Sequence, residues 1–117
     1  PWYMHAHQED NLIVFRGTRH VDLYSREEGK VLHFDVTPDK IILNGEVAHE
    51  GPAILSWPVN VFHRVRSGED GSMSLNFAAR SEGFDIRTNF NIYDLDTESG
   101  DFTVLREGHL DQPDTTV

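Results

Sequence analysis

Apolar positions along the chain alternate with polar ones in short stretches, punctuated by glycine, proline and asparagine. Residues 12–15 are a continuous apolar run that Gly17 closes, and Val21 and Leu23 then alternate with polar neighbours. Leu32, Phe34 and Val36 repeat the alternation up to Pro38. Residues 41–43 stop at Asn44-Gly45, a dipeptide suited to a tight hairpin turn. Ala53, Leu55 and Trp57 alternate up to Pro58, and Val61, His63 and Val65 up to Gly68. Met73, Leu75 and Phe77 form the clearest period-two stripe, followed by Phe90 and Ile92 and, after Ser99-Gly100, by Phe102 and Val104. A spacing of two puts side chains on one face of a strand, and no helical stripe is sustained. About nine short strands with regular turns predict an all-β sandwich or barrel. The charged stretch 25–29 reads as a loop.

The length, 117 residues, suits a single domain, assigned to residues 1–110 with a polar tail over 111–117 that is expected to fray. A hydrophobic fraction of 38% is enough for a packed interior. Cysteine is absent, which removes disulfides and thiolate metal sites and leaves nitrogen and oxygen ligands for any ion. The net charge of −10 opposes phosphate backbones and anionic lipid, so neither nucleic acid nor membrane is expected as a partner. No apolar run approaches a membrane span and no charged-then-apolar leader opens the sequence, so a cytoplasmic protein is expected. The chain begins at Pro1, and upstream residues are expected in the natural protein.

Three histidines carry the candidate chemistry. His5 and His7 are two apart, so on a strand both rings share a face. His63 lies between Val61 and Val65 on an otherwise apolar face, where a polar ring must be hydrogen-bonded or liganded. Alone, each is more often a satisfied histidine than a metal ligand.

Their surroundings add a further signal. Residues 5–17 read HAHQEDNLIVFRG and residues 51–63 read GPAILSWPVNVFH. The first resembles the H-x-H, acidic residue, six residues, glycine motif of the cupin superfamily, through His5, His7, Asp10 and Gly17. The second resembles that superfamily's glycine, P-x-G, histidine motif, through Gly51, Pro58, Asn60 and His63. Asn60 replaces a glycine there, a mild departure because asparagine tolerates a left-handed backbone. The resemblance implies a double-stranded β-helix, the cupin or jelly-roll barrel. It also implies one divalent ion on His5, His7, His63 and an acidic fourth ligand. The gap after His7 is one residue shorter than the commonest family spacing. Counting back from Gly17 selects Asp10, counting forward from His7 selects Asn11, and a continuous strand selects Glu9 or Asn11; Asp10 is taken. Iron, manganese, nickel, zinc and copper all suit such ligands.

Tyr3 and Trp57 flank the motif residues as candidate pocket-lining side chains, although aromatics in a small barrel are usually packing. Arg80 is a candidate anchor for an anionic substrate group, against the commoner role of a surface salt bridge. His20, His33, His49 and His109 carry no motif. The resemblance implies a metalloenzyme of dioxygenase, isomerase or decarboxylase type acting on a small polar metabolite. The alternatives are a non-catalytic binding or sensing module and a metal-free cupin like the nucleotide-sugar epimerases. In cupins one or two strands precede the H-x-H strand, whereas four residues do here. The missing cover is expected from upstream chain, from residues 86–94 and 101–105, or from a second copy in a homodimer.

Overall fold

The computed structural model describes residues 1–112; residues 113–117, most of the expected polar tail, lie outside the described residues. Asp111 is tied down, its carboxylate accepting from Arg106 Nε and Nη2. The described strands are β1 (Trp2–Tyr3), β2 (Gln8–Ser25), β3 (Lys30–Val36), β4 (Lys40–Leu43), β5 (Glu46–Glu50), β6 (Leu55–Trp57), β7 (Phe62–Asn76), β8 (Ala79–Arg80), β9 (Ile92–Leu95) and β10 (Phe102–Arg106). A one-turn helix α1 (Ile86–Asn89) lies before β9, and a 3-10 turn (Gly108–Asp111) follows β10. The protein is all-β, as the alternation predicts. Its strands form one antiparallel sheet in the order β10-β9-β1-β7-β2-β3-β4-β5, with β6 and β8 paired on β2, and the sheet does not close on itself.

The glycines act differently from the sequence expectation. The runs on either side of Gly17 belong to a single strand, β2, and those on either side of Gly68 to a single strand, β7. These two long strands pair along most of their length, with Leu12 opposite Asn76 at one end and Tyr24 opposite Phe62 at the other. Their register shifts near Gly17, where Thr18 alone faces residues 68–71. A bulge of this kind bends a strand and sharpens its twist without ending it. Gly17 has φ +73°, and a Cβ there would lie 2.2 Å from the Gly71 carbonyl oxygen, so both conformation and space require glycine. Asn44-Gly45 forms the expected turn, with φ 50° and 84°. Residues 26–29 form a turn, also as expected, whereas α1 occupies part of a segment read as strand.

Two apolar clusters hold the sheet. Leu12, Val14, Val21, Leu23, Val36, Ile41 and Trp57 pack on one face. Trp2, Tyr24, Phe62, Tyr93 and Leu95 pack on the other, where Phe62, Tyr93 and Phe102 meet edge to face or tilted. The second cluster answers the question of the opening strand. β1 lies between β7 and β9, with Tyr3 opposite His63 and Trp2 opposite Tyr93. The C-terminal hairpin β9–β10 thus supplies the cover for β1 from within the chain.

Gly17→Ala should cost about 3 kcal/mol or more in urea or thermal unfolding, combining left-handed strain with a backbone clash. Gly45→Ala, with nothing within 4 Å of its added Cβ, should cost only about 1 kcal/mol.

Candidate metal centre

The strand alternation of β2 begins at Gln8. Gln8, Asp10, Leu12 and Val14 are buried on one face, while Glu9 is exposed. Asp10 is therefore the inward carboxylate. Asn11 points to the edge, donating from Nδ2 to the Phe77 carbonyl and accepting from Ser56 Oγ. β7 begins at Phe62 and His63, and both are buried because the two faces of the strand serve different packing layers. His63 shares its face with Trp57, whose ring centroid is 5.3 Å away.

His5 reaches the site by a different route. Residues 4–7 are not strand, and the chain bends at Ala6 and His7. His5 and Asp10 are an odd number of residues apart, so an unbroken strand would put them on opposite faces. The bend removes that constraint and turns His5 inward. The same bend turns His7 outward, which corrects its expected place beside His5. His7 is exposed, with its imidazole lying over Gly83, where a Cβ would come within 2.9 Å of the ring. The left-handed Asn60 (φ 66°) fixes His5 from the other side by donating its backbone N–H to the His5 carbonyl at 2.8 Å.

The result is a buried group of His5, Asp10 and His63 whose ligand atoms all lie within 4.8 Å of one another. Asp10 Oδ2 is 3.5 Å from His5 Nε2 and 3.7 Å from His63 Nε2. His5 Nδ1–H donates to the Asn89 carbonyl at 2.5 Å, and His63 Nδ1–H to the Val61 carbonyl at 3.2 Å. A carbonyl only accepts, so these bonds place the ring proton on Nδ1 and leave the Nε2 lone pairs turned toward Asp10. Asp10 Oδ1 accepts from Gln8 Nε2 at 2.7 Å and Asn76 Nδ2 at 2.9 Å. Asp10 Oδ2 is buried and has no hydrogen-bond partner among the described residues. Burial first, and the neighbouring His5 second, push the His63 imidazole down to about 4, so His63 is neutral at pH 7. Three lone-pair donors thus converge on one point with nothing positive between them. A cation bound there would meet two imidazoles whose outer nitrogens are already anchored, a common arrangement around bound metals. The residues fit a divalent ion.

Gln8 was not among the sequence candidates, nor were Asn76 and Asn89. Gln8 Oε1 accepts from Asn89 Nδ2 and Arg80 Nε, both at 3.0 Å. Arg80 is therefore spent on orienting Gln8 and on stacking over Phe84 at 4.2 Å, and it does not line the cavity beside the cluster. Only the inward parity of Gln8 with Leu12 and Val14 hinted at its place; nothing local marks Asn76 or Asn89. The cavity measures about 370 Å³, a size for a small molecule, and its walls include Tyr3, Leu12, Arg19, Trp57, Val65 and Phe90. Tyr3 and Trp57 line it as expected. Among the described residues no helix is long and apolar enough to cross a membrane. No protein-family model, curated protein or solved structure matches this chain.

His63 also sets a pH dependence. The unfolded chain takes up a proton on this residue near pH 6.5, whereas the folded site resists it until about pH 4. The unfolded state binds more protons across that window, so the metal-free protein should be fully stable above pH 6.5 and lose stability as pH falls toward 4. Denaturant midpoints of wild type and His63→Leu compared between these pH values check it: the wild-type slope should flatten in the variant.

Proposed function

We propose that this chain is a cupin-like metalloprotein that holds one divalent ion on His5, His63 and Asp10 and acts as an enzyme on a small polar metabolite. The observation that carries the reading is the partnerless Asp10 Oδ2 facing two Nε2 atoms at 3.5 and 3.7 Å. A divalent ion held by these residues would satisfy all three donors at once. Two imidazoles and one carboxylate would leave positions open on a five- or six-coordinate ion, and the same three residues line the cavity. When bound, such an ion polarises substrate oxygens and stabilises developing negative charge.

The chain's own residues have defined parts in this scheme. Asn89 and Val61 hold the imidazole tautomers, Gln8 and Asn76 fix the carboxylate, and Trp57, Phe90 and Tyr3 wall the cavity. The cupin assignment, and with it a double-stranded β-helix, is supported by the order of the two sequence motifs. It is also supported by the left-handed Asn60 in place of the motif glycine. The ligand set differs from the family pattern in lacking His7. A metal-free sugar-diphosphate enzyme fits less well, because among the described residues Arg19 is the one arginine or lysine on the cavity wall.

Elemental analysis of tag-free protein, after reconstitution with each candidate ion, tests the reading. Wild type should hold about one ion per chain, and Asp10→Asn and His63→Ala should fall below about a tenth. His7→Ala should keep its metal. Wild type below about a tenth of an equivalent with every ion would overturn the proposal. Oxygen-consumption and isomerisation screens with His63→Ala as control then separate an enzyme from a binding module, which would show no metal-dependent turnover.

A further inference from the structure

Arg80 stands outside the cavity, yet two successive hydrogen bonds join it to the carboxylate of the cluster. β8 pairs with the start of β2, and Arg80 lies directly opposite Gln8. Opposed residues on paired strands share a face, which brings the exposed guanidinium against the buried amide of Gln8. The Arg80 Nε–H can only donate, so the amide atom that meets it at 3.0 Å must be Oε1. Asn89 Nδ2 donates to the same oxygen, also at 3.0 Å. A reversed amide would set three donors against one another and turn Oε1 onto Asp10 Oδ1, acceptor against acceptor. Gln8 Nε2 is thereby committed to Asp10 Oδ1 at 2.7 Å, which leaves Oδ2 free. Asn89 carries the same constraint to the second ligand, because its backbone carbonyl accepts from His5 Nδ1–H. One buried amide therefore ties a surface cation to two of the three ligands.

We propose that Arg80, acting through Gln8, is a positioning residue of the metal centre. It locks the Gln8 amide so that Asp10 Oδ2 and His5 Nε2 are presented together. Its effect on a bound ion rests on the metal reading above; its effect on the His5 ring does not. The proposal has a sign that simple charge repulsion does not share. A positive charge near a cation site repels the cation, so on that ground alone removing the Arg80 charge would strengthen binding. Loss of positioning weakens it, since partners of this kind are worth about 10–100-fold in metal affinity. The second effect wins here. The guanidinium is exposed and its field is screened by water and salt, whereas the amide acts inside the dry cluster. Phe84 holds the guanidinium in place, 4.2 Å from its ring centroid.

The test is cobalt(II) titration of tag-free protein against a competing chelator, with the visible spectrum recorded. The proteins are wild type, Arg80→Met, Arg80→Lys, Gln8→Met and the double variant Gln8→Met with Arg80→Met. Arg80 is exposed, so Arg80→Met should fold even where Gln8→Met does not. Gln8→Met should weaken cobalt about tenfold or more, and Arg80→Met about threefold. Both should shift the cobalt bands in the same direction. Arg80→Lys, which keeps a donor, should recover part of the loss, and Arg80→Met should add nothing to Gln8→Met. Arg80→Met that binds cobalt as tightly as wild type, or more tightly, would overturn the proposal. An Arg80→Met loss of equal size with and without Gln8 would overturn it too. Nitrogen-15 spectra of the metal-free proteins give a readout that needs no ion. The His5 ring should carry its proton on Nδ1 in wild type and should show a share of the Nε2–H form in both single variants. Wild type that takes up no cobalt would reject the metal reading alone; a His5 tautomer unchanged in both variants would reject the positioning role alone.

Discussion

A carboxylate almost completely shut off from water, with one oxygen bonded twice and the other facing two imidazole lone pairs, is the constraint around which this molecule is arranged. Like-signed lone pairs brought together in a low-dielectric interior repel, and the repulsion is not relieved by water. A positive charge is the simplest partner that relieves all three at once. On His63, burial disfavours a proton in that place. A metal ion has no such difficulty, because it uses the lone pairs that the neutral rings already present.

The supporting bonds span most of the described chain. His5 leans on Asn89, Asp10 on Asn76, and Gln8 on both Arg80 and Asn89. Several of these partners are separated by more than sixty residues, so the cluster exists only when the bent β2–β7 pair and the segment around α1 are all in place. An ion bound at this point would therefore report on, and stabilise, the folded chain as a whole. The glycine bulge serves the same end. It lets two long strands curve so that Arg19 and Asp10, far apart along β2, line one cavity.

Much of this was readable in residues 12–77, where alternation was clean. The strands, the Asn44-Gly45 turn, inward His63 and the left-handed Asn60 all follow from local rules of period and backbone conformation. Counting back from Gly17 selects Asp10 over Glu9 and Asn11, and the parity of β2 turns that residue inward beside His5 and His63. His7 shows the limit of the same rule. Pairing it with His5 assumes a strand, and the bend at Ala6 and His7 is enough to send the rings apart. Gln8, Asn76, Asn89 and Arg19 were out of reach for another reason. Their roles come from tertiary hydrogen bonds across tens of residues, and ordinary polar side chains advertise nothing of that in a single sequence. Arg80 offers itself in the sequence as a ligand anchor or a surface salt bridge, but β8 brings it onto Gln8 instead.

The distribution of partnerless atoms separates a ligand site from a poorly packed core. An unmade hydrogen bond in the interior costs about 1–3 kcal/mol, and a core selected only for stability would replace such atoms with apolar ones. Here one acceptor sits at the imidazole cluster, and two residues with partnerless donors share its cavity. That pattern leaves an acceptor at the imidazole cluster that suits a cation. The rest of the chain, at a net charge of −10, would repel an anion arriving from solution. At physiological salt that repulsion fades within about 8 Å, whereas charges inside the cavity are screened far less. The same electrostatics disfavours polyanions, for which one arginine is too little.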